Sequence, residues 1–212
     1  MSYKRHGLAI VAAIPEVSIE SRVEMLRRGY EKGAYCVASV PEAEADAFLE
    51  RGVFRYTNLV ALNEREAAAI APGEGDESAL VHRLYEKLYT LNHHISLIVT
   101  AGKNGAYTAD QGQVEYVPNL PVSAVNTAGA GDAFLGGTLA GLCMGHCLQK
   151  GRSDKSFGNT ALESAAELGA LCAGMSVESA DSIAYNVDKA GIMQRIQSMG
   201  LQMTDAFSKG LA

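Results

Sequence analysis

The residues best suited to chemistry form one stretch, Asn126-Thr127-Ala128-Gly129-Ala130-Gly131-Asp132-Ala133-Phe134-Leu135-Gly136-Gly137. An apolar strand, Val122 to Asn126, is expected to run into a turn of tiny residues, and a helix is expected to open with an acidic residue in its first turn. The first N–H groups of a helix lack internal partners and sit at the positive end of its dipole. Bare backbone at 129–131 would let a phosphate approach those groups closely. Asp132 would then lie beside the phosphate, placed to accept a proton from an attacking hydroxyl. The same residues also suit a plain helix start, with Asp near the dipole and glycines for a tight turn. Residue types alone leave both readings open.

Glycines at 136, 137, 141 and 145 fall inside the expected helix, Ala130 to about Leu148. Each costs about 1 kcal/mol relative to alanine, so the helix is expected to press against another backbone. That would hold its N-terminus rigidly, as a preorganised anion hole requires, and it equally suits a purely structural central helix.

The elements that must carry this stretch follow from the apolar pattern. Strands are expected at Leu8–Ala13, Ala34–Ser39, Asn58–Leu62 and Ile95–Thr100, each a near-continuous apolar run suited to burial on both faces. Between them lie helical patterns at Ser18–Glu31, at Pro41 to about Arg51, at Glu64–Ile70, and from Glu77 to about Leu91. Strand and helix in alternation mean a parallel sheet with helices on its faces. Gly105–Thr108 and Gln113–Val117 then read as a hairpin. After Gly151–Asn159, a polar loop, a second long helix is expected from Thr160 to Met175, and an amphipathic helix at Val187–Met199. No repeat or long linker divides the chain, so 1–212 reads as a single domain.

Composition narrows the function classes. The 212 residues carry 18 basic and 24 acidic side chains, a formal net charge of −6, which argues against a nucleic-acid binder. No apolar run approaches the ~20 residues of a membrane span. Lys4-Arg5-His6 ahead of Gly7–Ile14 imitates a signal peptide, yet Pro15-Glu16 follows without a cleavage pattern, so a buried strand is the expectation. Cysteines at 36, 143, 147 and 172 form no framework and point to a reduced, cytoplasmic protein. Cys143, His146 and Cys147 supply only three ligand candidates; small thiols lining a packed helix are the expected account.

With these residues in view, the chain resembles the ribokinase-like carbohydrate kinases, the phosphofructokinase B family, from about residue 8 to about 185. Asn126 to Asp132 resembles the family's C-terminal signature, Leu62-Asn63-Glu64-Arg65-Glu66 its Asn-x-x-Glu motif, and Val99-Thr100-Ala101-Gly102-Lys103-Asn104-Gly105 the strand and turn lining the nucleotide. Three segments in the expected order outweigh any one. No Walker A pattern and no complete Gly-x-Gly-x-x-Gly occurs, which weakens P-loop and dinucleotide alternatives.

The resemblance implies an α/β three-layer sandwich with a mostly parallel central sheet, and ATP-dependent phosphorylation of a sugar or sugar-like alcohol. It implies Asp132 as catalytic base and Gly129, Ala130 and Gly131 as the anion hole. Asn63, Thr100, Ala101, Gly102, Lys103, Asn104 and Gly105 would lie at the nucleotide, and Glu66 would order Mg2+ through water. Taken alone, Asn63 and Glu66 also suit a helix cap, Thr100–Gly105 an ordinary turn, and Lys103 a solvated charge.

Two departures from the family pattern stand out. Asn126 replaces its usual Asp; with Ala128 and the region Ser176–Ser182 it is the counterpart of a monovalent-cation site, so K+ is a candidate cofactor. The chain also opens where the family is already well into its sheet, without the Gly-Gly-x-x-Asn signature and the β-lid. A truncated start, a kinase remnant, or a partner supplying the front half would each account for this. An uncovered sheet edge would favour a homodimer. The rival reading is a non-catalytic nucleotide-binding or interaction module; a kinase of a nucleoside or vitamin alcohol is a third. No nucleic acid and no membrane is expected among the partners.

Overall fold

The computed structural model describes residues 10–13, 17–181 and 184–211. The expected strand's Leu8 and Ala9, the basic Lys4–His6, Pro15-Glu16 and Ser182 lie outside them. The described residues form two compact units: one takes in those of 10–102 with 107–114, the other 103–106 with those of 115–211.

The first unit is built on parallel strands, as the alternating pattern requires. These are β1 (Ile10–Ala13), β2 (Tyr35–Ser39), β3 (Leu59–Asn63) and β4 (Ser96–Thr100), with β1 beside β2, β2 beside β3 and β3 beside β4, all parallel. Four of the five residues in each of β2, β3 and β4 are buried, the signature of strands covered on both faces. Two more strands, β5 (Ala106–Asp110) and β6 (Gln113–Val117), complete the order β1-β2-β3-β4-β5-β6. They are joined by Gln111 and Gly112, both at positive φ (48° and 83°), as a two-residue turn between antiparallel strands demands.

Four helices belong to this unit: α1 (Ile19–Glu31), α2 (Ala45–Glu50), α3 (Glu64–Ile70) and α4 (Glu77–Tyr89). Ser18 caps α1 and Asp76 caps α4 through side-chain oxygens on backbone N–H groups. The core gathers Leu26, Phe48, Phe54, Leu84, Leu88 and Leu97, all fully buried. Arg22 is buried with them; its Nη2 donates to both Glu44 carboxylate oxygens at 2.7 and 2.6 Å, and its guanidinium lies 5.0 Å from the Phe48 ring centre. A cation so enclosed is tolerable only with such a partner.

The second unit centres on α5 (Ala130–Cys143) and α6 (Ala165–Val177), with α7 (Lys189–Ser198) and α8 (Asp205–Leu211). Eleven of the thirteen α6 residues are buried, so this helix has no solvent face. Two of the glycines expected to meet a backbone do so. A Cβ at Gly137 would lie 2.9 Å from the Leu168 carbonyl oxygen, and one at Gly141 2.8 Å from Ala165 Cα. Gly136 faces open space.

Four expectations are corrected here. Val122–Asn126 is not a strand: the N–H groups of Val125 and Asn126 both donate to the Val177 carbonyl, at 2.7 and 3.1 Å. A helix end, not a ladder, satisfies that backbone, and Val125 is 66% exposed. Helix α5 stops at Cys143 because Gly145, at φ +90°, ends it, with His146 N–H returning to the Gly141 carbonyl at 3.0 Å. Helix α6 begins at Ala165, not Thr160, because Ser164 and Glu167 form a capping box. Cys143 and Cys147 are exposed and do not line a packed helix. Helix α8, unforeseen, buries Phe207 and Leu211 four residues apart.

Candidate functional site

The site residues fall into two groups, one at the ends of β3 and β4 with the turn after β4, the other at the start of α5. In the first, Asn63 ends β3 and Thr100 ends β4, and the two are register partners across the parallel pair. The carboxyl ends of parallel strands are where open α/β sheets bind ligands. Asn63 Oδ1 accepts from Arg65 N–H at 2.9 Å and from Glu66 N–H at 3.0 Å, while Glu66 Oε2 accepts from Asn63 N–H at 2.8 Å. The capping box expected as the plain alternative is therefore present. A carboxylate accepts at about four lone-pair positions, so this cap remains compatible with Glu66 orienting water around a cation. Thr100 Oγ1 donates to the Leu62 carbonyl at 3.4 Å.

Ala101 is buried, and Gly102–Asn104 form one turn of tight helix with Gly102, Lys103 and Asn104 exposed. Gly105, in the second unit, is buried at φ +88°, and a Cβ there would stand 2.6 Å from the Val117 carbonyl oxygen. Its glycine is thus accounted for by close packing of the backbone.

The second group surrounds the start of α5. Gly129 is the N-cap, at φ +79° and with no side chain to cap the helix. Ala133 N–H closes onto the Gly129 carbonyl at 2.9 Å, and Ala130 N–H leans on the Thr127 carbonyl at 3.3 Å. Among the described residues no acceptor engages the N–H groups of Gly131 or Asp132, so two of the helix's first donors face outward. A Cβ at Gly131 would meet nothing within 4 Å. Asp132 is exposed, with no hydrogen bond or ion pair to another described residue. The arrangement presents a carboxylate beside uncapped amides at a helix's positive end.

The approach to this turn is tied down by α6. Asn126 uses both ends of its amide: Oδ1 accepts from Ala128 N–H at 3.0 Å, and Nδ2 donates to the Ala180 carbonyl at 3.0 Å. With the two N–H bonds from Val125 and Asn126 to the Val177 carbonyl, these tie Asn126 to the end of α6 and the loop after it, and Ala128 to Asn126. Their main-chain partners could not be named from sequence, because carbonyl oxygens carry no residue-type signal. Among the described residues no cluster of three His, Cys, Asp or Glu could hold a metal ion, and no helix is long and apolar enough to cross a membrane.

Comparisons of sequence and fold place the chain among known proteins. The chain is 45% identical to a fructokinase of Klebsiella pneumoniae over 86 residues, covering 40% of this chain and 26% of that protein. Among solved structures, ribokinase from Thermotoga maritima superposes with a TM-score of 0.65 at 21% identity, over 89% of this chain and 57% of that one. Fructokinase from Vibrio cholerae O395, solved with fructose, ADP and calcium ion bound, superposes with a TM-score of 0.64 at 21% identity, over 87% and 59%. At such identities these likenesses establish the ribokinase-like fold alone, and the chain spans little more than half the length of either structure. Residues 14–189 match the pfkB family carbohydrate kinase, and the chain belongs to that family.

Proposed function

We propose that this chain supplies the nucleotide-binding and phosphoryl-transfer parts of an ATP-dependent kinase whose acceptor is a hydroxyl of a sugar or sugar-like alcohol. The observation that carries this is the start of α5, where outward N–H groups and an unengaged Asp132 carboxylate share one helical turn. In the reaction Asp132 takes the proton of the acceptor hydroxyl as its oxygen attacks the γ-phosphorus, and the bond to the β-bridging oxygen breaks to release ADP. The Gly129–Gly131 turn carries the anion hole; its outward Gly131 N–H and that of Asp132 stabilise charge on the transferring group without side-chain reorganisation.

Asn63, Thr100, Ala101, Gly102, Lys103, Asn104 and Gly105 form the remaining nucleotide contacts in this reading. Glu66 would hold Mg2+ through water, and the ion would neutralise charge on the phosphates. Asn126 and Ala128 are the candidate K+ site; Asn126 Oδ1 accepts one bond, from Ala128 N–H, and its second lone pair, with main-chain oxygens, would be the cation's ligands there.

The test is a calorimetric titration of the chain with Mg-ATP, together with turnover on a small panel of sugars, for the native protein and Asp132→Asn. The native chain is expected to bind Mg-ATP. Asp132→Asn keeps that binding and loses about 10²–10⁴-fold in sugar-dependent turnover, the usual loss of a general base. Full turnover in Asp132→Asn would remove the base assignment. No nucleotide binding by the native chain would overturn the proposal and favour the reading as a non-catalytic module.

A further inference from the structure

The first turn of α5 must be held still if its amides are to act without reorganising. Asp132 makes no side-chain hydrogen bond or ion pair with another described residue, so its positioning comes through the backbone. The nearest element packed on that backbone is α6. Gly169 of α6 sits directly on α5: a Cβ there would overlap Thr138 Oγ1, lie 2.6 Å from the Phe134 carbonyl oxygen and 3.2 Å from Phe134 Cδ1. Thr138 Oγ1 in turn donates to the same Phe134 carbonyl at 2.9 Å. A threonine bond back onto the preceding turn bends a helix slightly, and here the bonded carbonyl also meets the bare Cα of Gly169. Phe134 stands only two residues beyond Asp132.

We propose that Gly169 is a positioning residue for the α5 anion turn: by bringing two helix backbones into contact at Phe134, it sets where Asp132 and the Gly131 N–H point. The proposal rests on the functional reading of Asp132 given above, and it is tested partly without it. A methyl at 169 cannot be housed unless α5 or α6 shifts, and the shift falls within one helical turn of the carboxylate. Displacements of about 1 Å at a reacting group can cost about 10²-fold in rate.

Gly141 provides an internal control. It lies on the same helix seam and is also too close for a methyl, with a would-be Cβ 2.8 Å from Ala165 Cα, but it is nine residues from Asp132. Gly169→Ala and Gly141→Ala are compared for melting temperature, for amide hydrogen exchange, and for ADP affinity by calorimetry. Gly169→Ala is expected to raise exchange at residues 133–135 by about tenfold or more over Gly141→Ala at matched loss of melting temperature. It is also expected to weaken ADP binding about tenfold, while Gly141→Ala stays within about twofold of the native chain.

Equal exchange at residues 133–135 in the two variants would overturn the proposal, whatever the nucleotide result. A native chain that binds no ADP, with exchange still raised selectively, would sink the functional reading and leave the positioning role standing. If Gly169→Ala fails to fold, the same pair of substitutions is placed in Thr138→Ala, which removes the nearest clashing atom and keeps the comparison decisive.

Discussion

At the residue scale, burial separates groups that the sequence presents alike. Four cysteines look interchangeable in the chain, yet Cys36 and Cys172 are buried while Cys143 and Cys147 are exposed. Burial pushes the Cys172 thiol up to about 11 and moves the Cys36 thiol upward as well. The thiolate is the reactive form, so the buried pair is doubly protected, by access and by protonation. Native protein titrated with a disulfide reagent at neutral pH should release signal from Cys143 and Cys147 alone, and from all four after denaturation. Fast reaction of Cys172 in the native state would mean that the α5–α6 seam opens readily, since Cys172 Sγ would stand 2.8 Å from a Cβ at Gly137. The same contrast shows a limit of sequence reading: spacing put Cys143 on a helix, but only packing decides which side of it faces water.

At the element scale, the second unit fastens the start of α6 with buried charge. Lys150 Nζ donates to Asp154 Oδ2 at 2.7 Å, to Thr160 Oγ1 at 3.0 Å, and to Glu167, whose other oxygen completes the Ser164 cap. Burial alone would raise the Asp154 carboxyl, but the Lys150 ammonium and the Thr160 hydroxyl outweigh it and hold it below its ordinary 3.8. Such a group contributes stability above the unfolded value, and that stability is lost as pH falls through 3.8 toward the folded value. Glu115 opposes it. Burial outweighs the three backbone N–H bonds from residues 150–152 and raises its carboxyl above 4.5, so protonation there relieves a cost as pH falls. Asp154→Asn should therefore lower stability near neutrality by about 1–3 kcal/mol and flatten the acid limb below about pH 4. Urea midpoints measured against pH would show this; an acid limb of unchanged slope would mean that the Lys150 cluster does not govern it.

None of that network was foreseen, because it depends on which loop residues fold back. The first unit was far more legible, since β2, β3 and β4 are apolar runs whose local pattern and tertiary burial agree. The Asn63–Glu66 cap and the Gly129–Asp132 turn were legible too, each being a local spacing of side chains or bare backbone. Val122–Asn126 failed as a strand because its apolar pattern is local whereas its hydrogen-bond acceptor, the Val177 carbonyl, lies some fifty residues away in sequence.

At the scale of the whole molecule, the decisive quantity is charge. The chain carries a net −6, and the ligand proposed for it is itself strongly anionic. The long-range field should therefore repel nucleotide, and attraction must come from short-range donors at the α5 turn and from the metal ion. A phosphate site built from lysine and arginine behaves oppositely, binding best in dilute salt. The Debye length is about 30 Å at 0.01 M salt and about 8 Å at 0.15 M, so adding salt screens the repulsion while leaving contacts of about 3 Å nearly untouched. ADP affinity at constant free Mg2+ should accordingly stay level or rise as salt increases over that range. A steep fall would show that cationic side chains dominate, with the exposed Lys103 the first to replace by methionine. A level response, together with insensitivity to Lys103→Met, would assign phosphate binding to the backbone.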